Sequence, residues 1–315
     1  MFLKKIWTLI FISVLGLVLT GCSNSASNQV KNASQNNIEI KKDKVALIYA
    51  KNQQSYFESL AQMLVKENFE IENFPTENND SISQDNSVKK ISDKGYRFLI
   101  IDAINRSQMN SSLDHLRGQG TNIIGYDNTV YKIGAPDVNI TFDYSDNGVK
   151  AANKFIEDQK IANLPDKKYK TLELFAGNVL SQSNYDYFKG VMQTLQPYID
   201  NGKIKILSKQ LPQNDGENIS SIAVINNDKI QLNNRLEYLL NDVYKNKQPD
   251  GIILGPNIEL NTEIKIYNTN IDKDKYSQIN KYTISLVLAL KNHTNIDNIP
   301  KISNGKRMIP TVYVY

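Results

Sequence analysis

The chain has 315 residues, one cysteine, one tryptophan and a formal net charge of +4 at pH 7. A balance this mild, with no basic block able to track phosphates, excludes nucleic acid as the main partner. A single thiol excludes an internal disulfide, so the fold must rest on its core.

Lys4 and Lys5 precede IWTLIFISVLGLVLT (6–20), an apolar run short for a membrane span and followed by no stop-transfer pattern; it reads as a secretory signal over 1–21. The run ends in Leu19-Thr20-Gly21-Cys22, the pattern of a bacterial lipobox. A lone cysteine is most commonly a buried, inert thiol, but this position favours lipidation at Cys22 and hence a membrane anchor on the extracytoplasmic face. Residues 22–42 are polar and without apolar periodicity, the composition of a flexible tether.

From Asp43 short β-branched runs alternate with helical stretches. VALIYA (45–50) predicts a strand, and 56–69 a helix with Phe57, Leu60, Ala61 and Leu64 on one face. EIENF, RFLIIDA, TNIIGYDN and VNITFDY predict further strands, with a turn at Gly95 and a helical stretch at LDHLRGQG. After Asn147 the same order restarts: a helix in NGVKAANKFIEDQK, a strand in KTLELFAG, a helix ended by Gly202, a strand in KIKILSKQ, a helix over 234–248 and a strand in PDGIILGPN. Such alternation predicts an α/β fold of parallel strands joined by helical crossovers, in two similar lobes, with a ligand cleft at the carboxyl ends of the strands.

The order of FLIIDAI, NIIGYDN, TFDYSDNGVKAANKFIED, LELFAG, YFKGVMQTLQPYIDNGKI and SNGKRMIPTVYV resembles the multiple-sugar and xylose-binding members of the type I periplasmic binding proteins. The resemblance implies two Rossmann-like lobes joined by three crossing segments, at TFDYSDNG, KIYNTN (265–270) and SNGKRMIP, with 281–292 a helix of the N-terminal lobe. The N-terminal lobe is then 43–142 plus 271–302, and the C-terminal lobe 143–270 plus 303–315. It also implies hinge closure on a monosaccharide such as xylose and delivery to the membrane permease of an ABC transporter.

Sugar sites use charge-assisted hydrogen bonds and an aromatic face. The family's Arg after the Tyr-Asp pair is Asn128 here, and its aromatic anchor falls at Phe57 beside Tyr56, where Phe57 either stacks on a sugar or fills the helix core. The chain also passes from GPN to TEIKIYNTN without the family's acidic sugar ligand, which implies a shortened C-terminal lobe. Polar residues at predicted strand ends complete the candidate set: Asn105, Asn128, Asp143, Gln182, Ser183 and Asn257.

His115 and His293 belong to no metal-binding spacing, and the nucleophile-elbow, Walker and dinucleotide motifs do not occur. No metal, cofactor or enzymatic reaction is expected. The alternative to transport is a ligand-sensing or surface-interaction lipoprotein that acts with a membrane receptor kinase. A remnant with no ligand is a third option that the sequence leaves open.

Overall fold

The computed structural model describes residues 42–77, 80–105, 107–128, 136–213, 218–225, 227–269, 273–292, 301–302 and 309–314. The expected signal, Cys22 and all of the tether but Lys42 lie outside the described residues. Among those residues no helix is long and apolar enough to cross a membrane.

Eleven strands and seven α-helices are described. The first half runs β1 (Lys44–Ala50), α1 (Gln54–Lys66), β2 (Glu70–Thr76), α2 (Ser81–Ile91), β3 (Phe98–Ile101), α3 (Asn110–Gly118), β4 (Asn122–Tyr126) and β5 (Val138–Phe142). The second continues with α4 (Tyr144–Asp158), β6 (Lys170–Phe175), α5 (Gln182–Asp200), β7 (Ile204–Lys205), α6 (Lys229–Tyr238), β8 (Gly251–Leu254) and β9 (Ile266–Tyr267). Helix α7 (Lys273–Lys291) and strands β10 (Lys301–Ile302) and β11 (Ile309–Val314) follow.

These strands form two sheets. One has the order β10-β11-β5-β4-β3-β1-β2 and the other β7-β6-β8-β9. Every pairing is parallel except that of β10 with β11. The second sheet repeats the β2-β1-β3-β4 order of the first, so the restart of the sequence pattern after Asn147 is a repeat of topology as well. Among the described residues the second sheet has four strands against seven in the first.

Both sheets are covered on both faces, as parallel sheets require. Along β1, Val45, Leu47 and Tyr49 pack with Phe57, Leu60 and Leu64 of α1, while Ala46 and Ile48 pack with Val88 and Ile91 of α2 and Leu113 and Leu116 of α3. Along β6, Leu172 and Leu174 join the core made with Phe188 and Val191 of α5, and Phe175 faces Leu232 and Leu236 of α6. Gly95 and Gly202 make the expected turns with φ of +70° and +76°.

The chain leaves the first sheet between Phe142 and Tyr144, where the Asp143 carboxylate caps α4 by accepting from the Asp146 N–H at 2.8 Å. It returns after Tyr267, and Thr269 donates to the Asn147 carbonyl at 3.2 Å, tying the two passages together. The third crossing expected at SNGKRMIP (303–310) lies outside the described residues over 303–308, and its last two residues, Ile309 and Pro310, open β11.

Two assignments are corrected. The final strand, expected in the C-terminal lobe with 303–315, instead has β11 paired in parallel with β5 in the first sheet, Thr311 opposite Asn139. A strand end carries no mark of which of two similar sheets it completes, and the exposed edge of β5 is the one it fills. The strand expected over KIKILSKQ shrinks to two residues. Beyond β7, the Ala176 N–H donates to the Ile222 carbonyl at 2.8 Å, so the loop around Ile222 takes over that edge of β6.

Arg235 of α6 holds this edge. Its guanidinium donates to the carbonyls of Leu174 (2.8 Å) and Ile222 (3.1 Å) and lies 4.1 Å from the centre of the Phe175 ring. Burial pulls its pKa down to about 10, against the nearby charge of Glu173. Replacement by Leu leaves the fold short of these donors and is expected to cost about 2 kcal/mol, read as a lower urea midpoint.

Candidate functional site

In a parallel sheet with the order 2-1-3, the crossovers from the two central strands run in opposite directions, and a crevice opens at their carboxyl ends. Here that point lies between β1 and β3 in one lobe and between β6 and β8 in the other. The loops after these strands meet in a recess of about 50 Å³. Ala50 ends β1 and Asn52 and Gln53 follow it, Asp102 and Ile104 follow β3, and Asn128 follows β4; the second lobe supplies Asn178, Ser181 and Asn184 after β6, Asn227 just before α6 and Asn257 after β8. The recess shares Asn52, Gln53, Asn227 and Asn257 with a larger groove of about 600 Å³. That groove is also lined by Tyr56, Tyr276, Asn268 and the ion pair of Lys229 with Glu259 (3.0 Å).

Among the described residues Asp102 is the one carboxylate that lines the recess, and it is 4% exposed. Asn128 donates to its Oδ1 twice, from the backbone N–H at 3.2 Å and from Nδ2 at 2.9 Å. Asn128 Oδ1 in turn accepts from the Ser181 hydroxyl at 2.7 Å and the Ser183 N–H at 3.3 Å, both of the opposite lobe. Asn178 crosses the same gap, donating from Nδ2 to the Ile104 carbonyl at 3.2 Å. The residue after the Tyr-Asp pair therefore joins Asp102 to the second lobe.

Asp127, one residue earlier, turns the other way. Its φ of +62° is in the left-handed region that Asp tolerates better than most residues. The turn sends its carboxylate under the crossings: Tyr144, the first residue of α4, donates to Oδ1 at 2.6 Å, and Tyr276 of α7 approaches Oδ2 at 3.5 Å. Burial pushes the Asp127 carboxyl up to about 6 against the lowering effect of those hydroxyls. Burial, with the neighbouring Asp127 charge, pushes Asp102 well above the usual carboxylate range, opposed by the Asn128 donors. The Tyr276 ring stacks on Tyr56 with centroids 3.8 Å apart and planes at 13°, forming an aromatic wall of the groove.

The model described as periplasmic binding protein domain matches residues 45–260, more than half of the chain. The chain belongs to the periplasmic binding protein family. Among curated proteins it is 27% identical over 172 residues to the multiple sugar-binding periplasmic receptor ChvE of Rhizobium radiobacter, covering 54% of this chain and 46% of the receptor. It is also 27% identical over 161 residues to the multiple sugar-binding periplasmic protein SbpA of Azospirillum brasilense, covering 51% and 43%. The alignments thus span about half of this chain and less than half of either relative.

Solved structures extend the likeness at the level of fold. An ABC transporter solute-binding protein from Clostridium phytofermentans, with bound β-D-glucose, superposes with a TM-score of 0.75 at 16% identity, over 87% of this chain and 92% of that one. A carbohydrate transporter solute-binding protein from Chloroflexus aurantiacus, in complex with D-glucose, gives 0.67 at 16% identity, over 87% and 91%.

In this periplasmic binding protein the candidate residues divide. Tyr56, Asn128 and Asn257 line the recess or the groove. Ser183 lies behind the recess, 1% exposed, its hydroxyl 2.7 Å from that of Ser181 and its N–H on Asn128. Phe57 is corrected to a core residue: it is fully buried and stacks on Tyr49 at 4.2 Å, because it faces the β1 side of α1 while Tyr56 is rotated toward the groove. Asp143 is a helix cap. Gln182 opens α5 and donates to Asp186 at 2.9 Å along its own helix, and Asn105 closes a local turn by accepting from the Ser107 N–H at 2.9 Å.

Sequence reasoning missed Asp102, Asn52, Gln53, Asn178, Asn184, Asn227 and Tyr276. Asp102 carried a signal: it ends the apolar run FLII, where an acid must be either solvated or in a site. The others are ordinary loop or helix residues whose grouping arises only from the facing of the two sheets. Among the described residues no group of three or more His, Cys, Asp or Glu side chains could hold a metal.

Proposed function

We propose that this chain is an extracytoplasmic solute-binding protein for a small polyhydroxylated ligand of the monosaccharide class, anchored through Cys22 and delivering that ligand to an ABC transporter permease. One observation carries this: the switch points of both sheets face one recess in whose described lining side-chain amides predominate, with a single carboxylate, beside the Tyr56–Tyr276 aromatic wall. Planar amides donate and accept in fixed directions, which suits ring hydroxyls, and an aromatic face suits the C–H surface of a pyranose. The sugar-binding names of the curated relatives and the glucose in two structural neighbours support the same class.

The two passages near Asp143 and Thr269 provide the hinge for closure, and the Asn128–Ser181 and Asn178–Ile104 hydrogen bonds would hold the closed form. Isothermal titration of the purified protein against pentoses, hexoses and their amino derivatives tests the assignment. Asn178→Ala is expected to weaken any sugar that binds by about tenfold, since it removes an amide of the recess and a lobe contact. Silence across the panel would defeat the assignment.

The smaller second sheet favours one other reading, in which the chain presents ligand occupancy to a membrane receptor kinase. Recovery of a kinase instead of a permease from solubilised membranes would select it.

A further inference from the structure

Asp102 stands apart within the recess. Both protein donors that reach its carboxylate, the N–H and the Nδ2 of Asn128, bond to Oδ1. Its Oδ2 accepts from no donor among the described residues. The group is nevertheless 4% exposed and lines the recess. That free oxygen is open to the recess, where a cation or a strong donor of a ligand would complete it.

The described surroundings supply no cation. The other lining residues are neutral amides, one hydroxyl and aliphatic groups. Of the charged side chains on the adjoining groove, Lys229 is already paired with Glu259. The nearest buried charged neighbour, Asp127, has the same sign and adds to the cost of ionising Asp102. The recess is therefore a place where the positive charge of a ligand would favour the ionised form of Asp102, and it is lined with carbonyl oxygens and amide donors. At about 50 Å³ it admits one small polar group, and the contiguous groove of about 600 Å³ has room for the remainder of a sugar-sized molecule.

We propose that the ligand of this site is an amine-bearing polyol, such as an amino sugar, whose ammonium group enters the recess and pairs with Asp102 Oδ2. This inference rests on the solute-binding assignment above and narrows its ligand class. Amide carbonyls of the recess offer acceptors for the remaining N–H groups of an ammonium, which has three donors and no acceptor. A neutral hydroxyl would satisfy the geometry with one donor and leave the charge uncompensated. A charge-assisted pair in the recess is expected to raise affinity about 10- to 100-fold over the hydroxyl.

The test is calorimetric titration of the purified protein at pH 7 with three matched pairs: glucose and glucosamine, galactose and galactosamine, mannose and mannosamine. At least one amino sugar is expected to bind about tenfold or more tightly than its neutral partner. Asp102→Asn keeps the side-chain shape and should bring that ratio close to one, with thermal unfolding of the unliganded variant confirming that it folds. The wild-type ratio stands as a measurement even where the variant does not. If the neutral member binds as tightly as the amino member in every pair, the amine inference is overturned and the solute-binding assignment survives. If none of the six binds, the amine inference is overturned, while the solute-binding assignment falls only with silence across the wider panel that includes pentoses.

Discussion

Replacing Gly190 by Ala is expected to lower the unfolding free energy by about 3 kcal/mol or more, a large effect for a single methyl group. A Cβ built at Gly190 lies 2.0 Å from the Ser145 carbonyl oxygen, and one at Gly148 lies 2.0 Å from the Tyr187 carbonyl oxygen. Helices α4 and α5 thus touch backbone to backbone at two reciprocal points. A backbone carbonyl cannot swing aside as the end of a long side chain can, so the helices must separate. The gain in helix propensity from Gly to Ala, about 1 kcal/mol, is too small to offset this.

Gly118 of α3 is the control. No atom lies within 4 Å of its Cβ position, and the same substitution there should leave stability unchanged or slightly raised. Urea midpoints of the two Ala variants decide the matter; equal midpoints for Gly190→Ala and Gly118→Ala would refute the close crossing. The consequence reaches the site, because α4 starts at the Asp143 crossing. A displaced α4 would also displace Asn147, which Thr269 of the second passage contacts.

The second large effect is on the pH dependence of stability. Asp127 has a folded pKa of about 6, above the ordinary value of 3.8. A carboxyl raised on folding contributes stability that is fully present below the unfolded pKa and lost as pH rises through the folded one. Between pH 4 and pH 8 Asp127 alone should remove about 2 kcal/mol. Asp102, shifted in the same direction, adds to the loss. The groups that face the pair are Tyr144 of α4, Tyr276 of α7 and, flanking Asp127 in the chain, Tyr126 and Asn128.

Asp80, Asp158 and Asp250 are shifted the opposite way by hydrogen bonds and, for the latter two, by lysines, so their contribution disappears only below the ordinary carboxylate range. Stability should therefore peak at mildly acidic pH. The check is a series of chemical denaturations from pH 4 to pH 8 on the wild type and on Asp127→Asn, whose amide oxygen can still accept from the Tyr144 hydroxyl. A decline in the wild type that flattens in the variant is expected. A wild-type midpoint that rises toward pH 8 contradicts the assignment. An amine ligand that pairs with Asp102 should oppose the decline by stabilising the ionised carboxylate.

How much of the site the sequence revealed depended on the kind of interaction that decides each residue. Asn128 was legible because its place after the strand NIIGY and the Tyr-Asp pair is a matter of chain position. Tyr56 and Phe57 are neighbours, yet one lines the groove and the other is sealed against Tyr49; a rotation of about 100° per helical residue separates them. Periodicity had placed Phe57 on the apolar stripe, which proved the better guide than its likeness to an aromatic anchor. Asp143 and Gln182 sat at strand or helix ends as expected, but each spends a hydrogen bond within its own helix terminus. Loop polarity alone cannot separate a cap from a ligand contact.

By itself the sequence determined the alternation of strands and helices, the repeat that restarts after Asn147 and the membership of a two-lobed binding fold. These follow from local periodicity, turn chemistry and the order of short motifs, all of which are carried along the chain. Only the tertiary structure decided that β11 pairs with β5, that Asp102 faces a recess with one oxygen unpartnered, and that Asn178, Asn184 and Asn227 gather opposite it. Those outcomes depend on which sheet edge is vacant and on how two lobes face one another. They involve residues more than seventy positions apart, a separation over which no local pattern of side chains carries information.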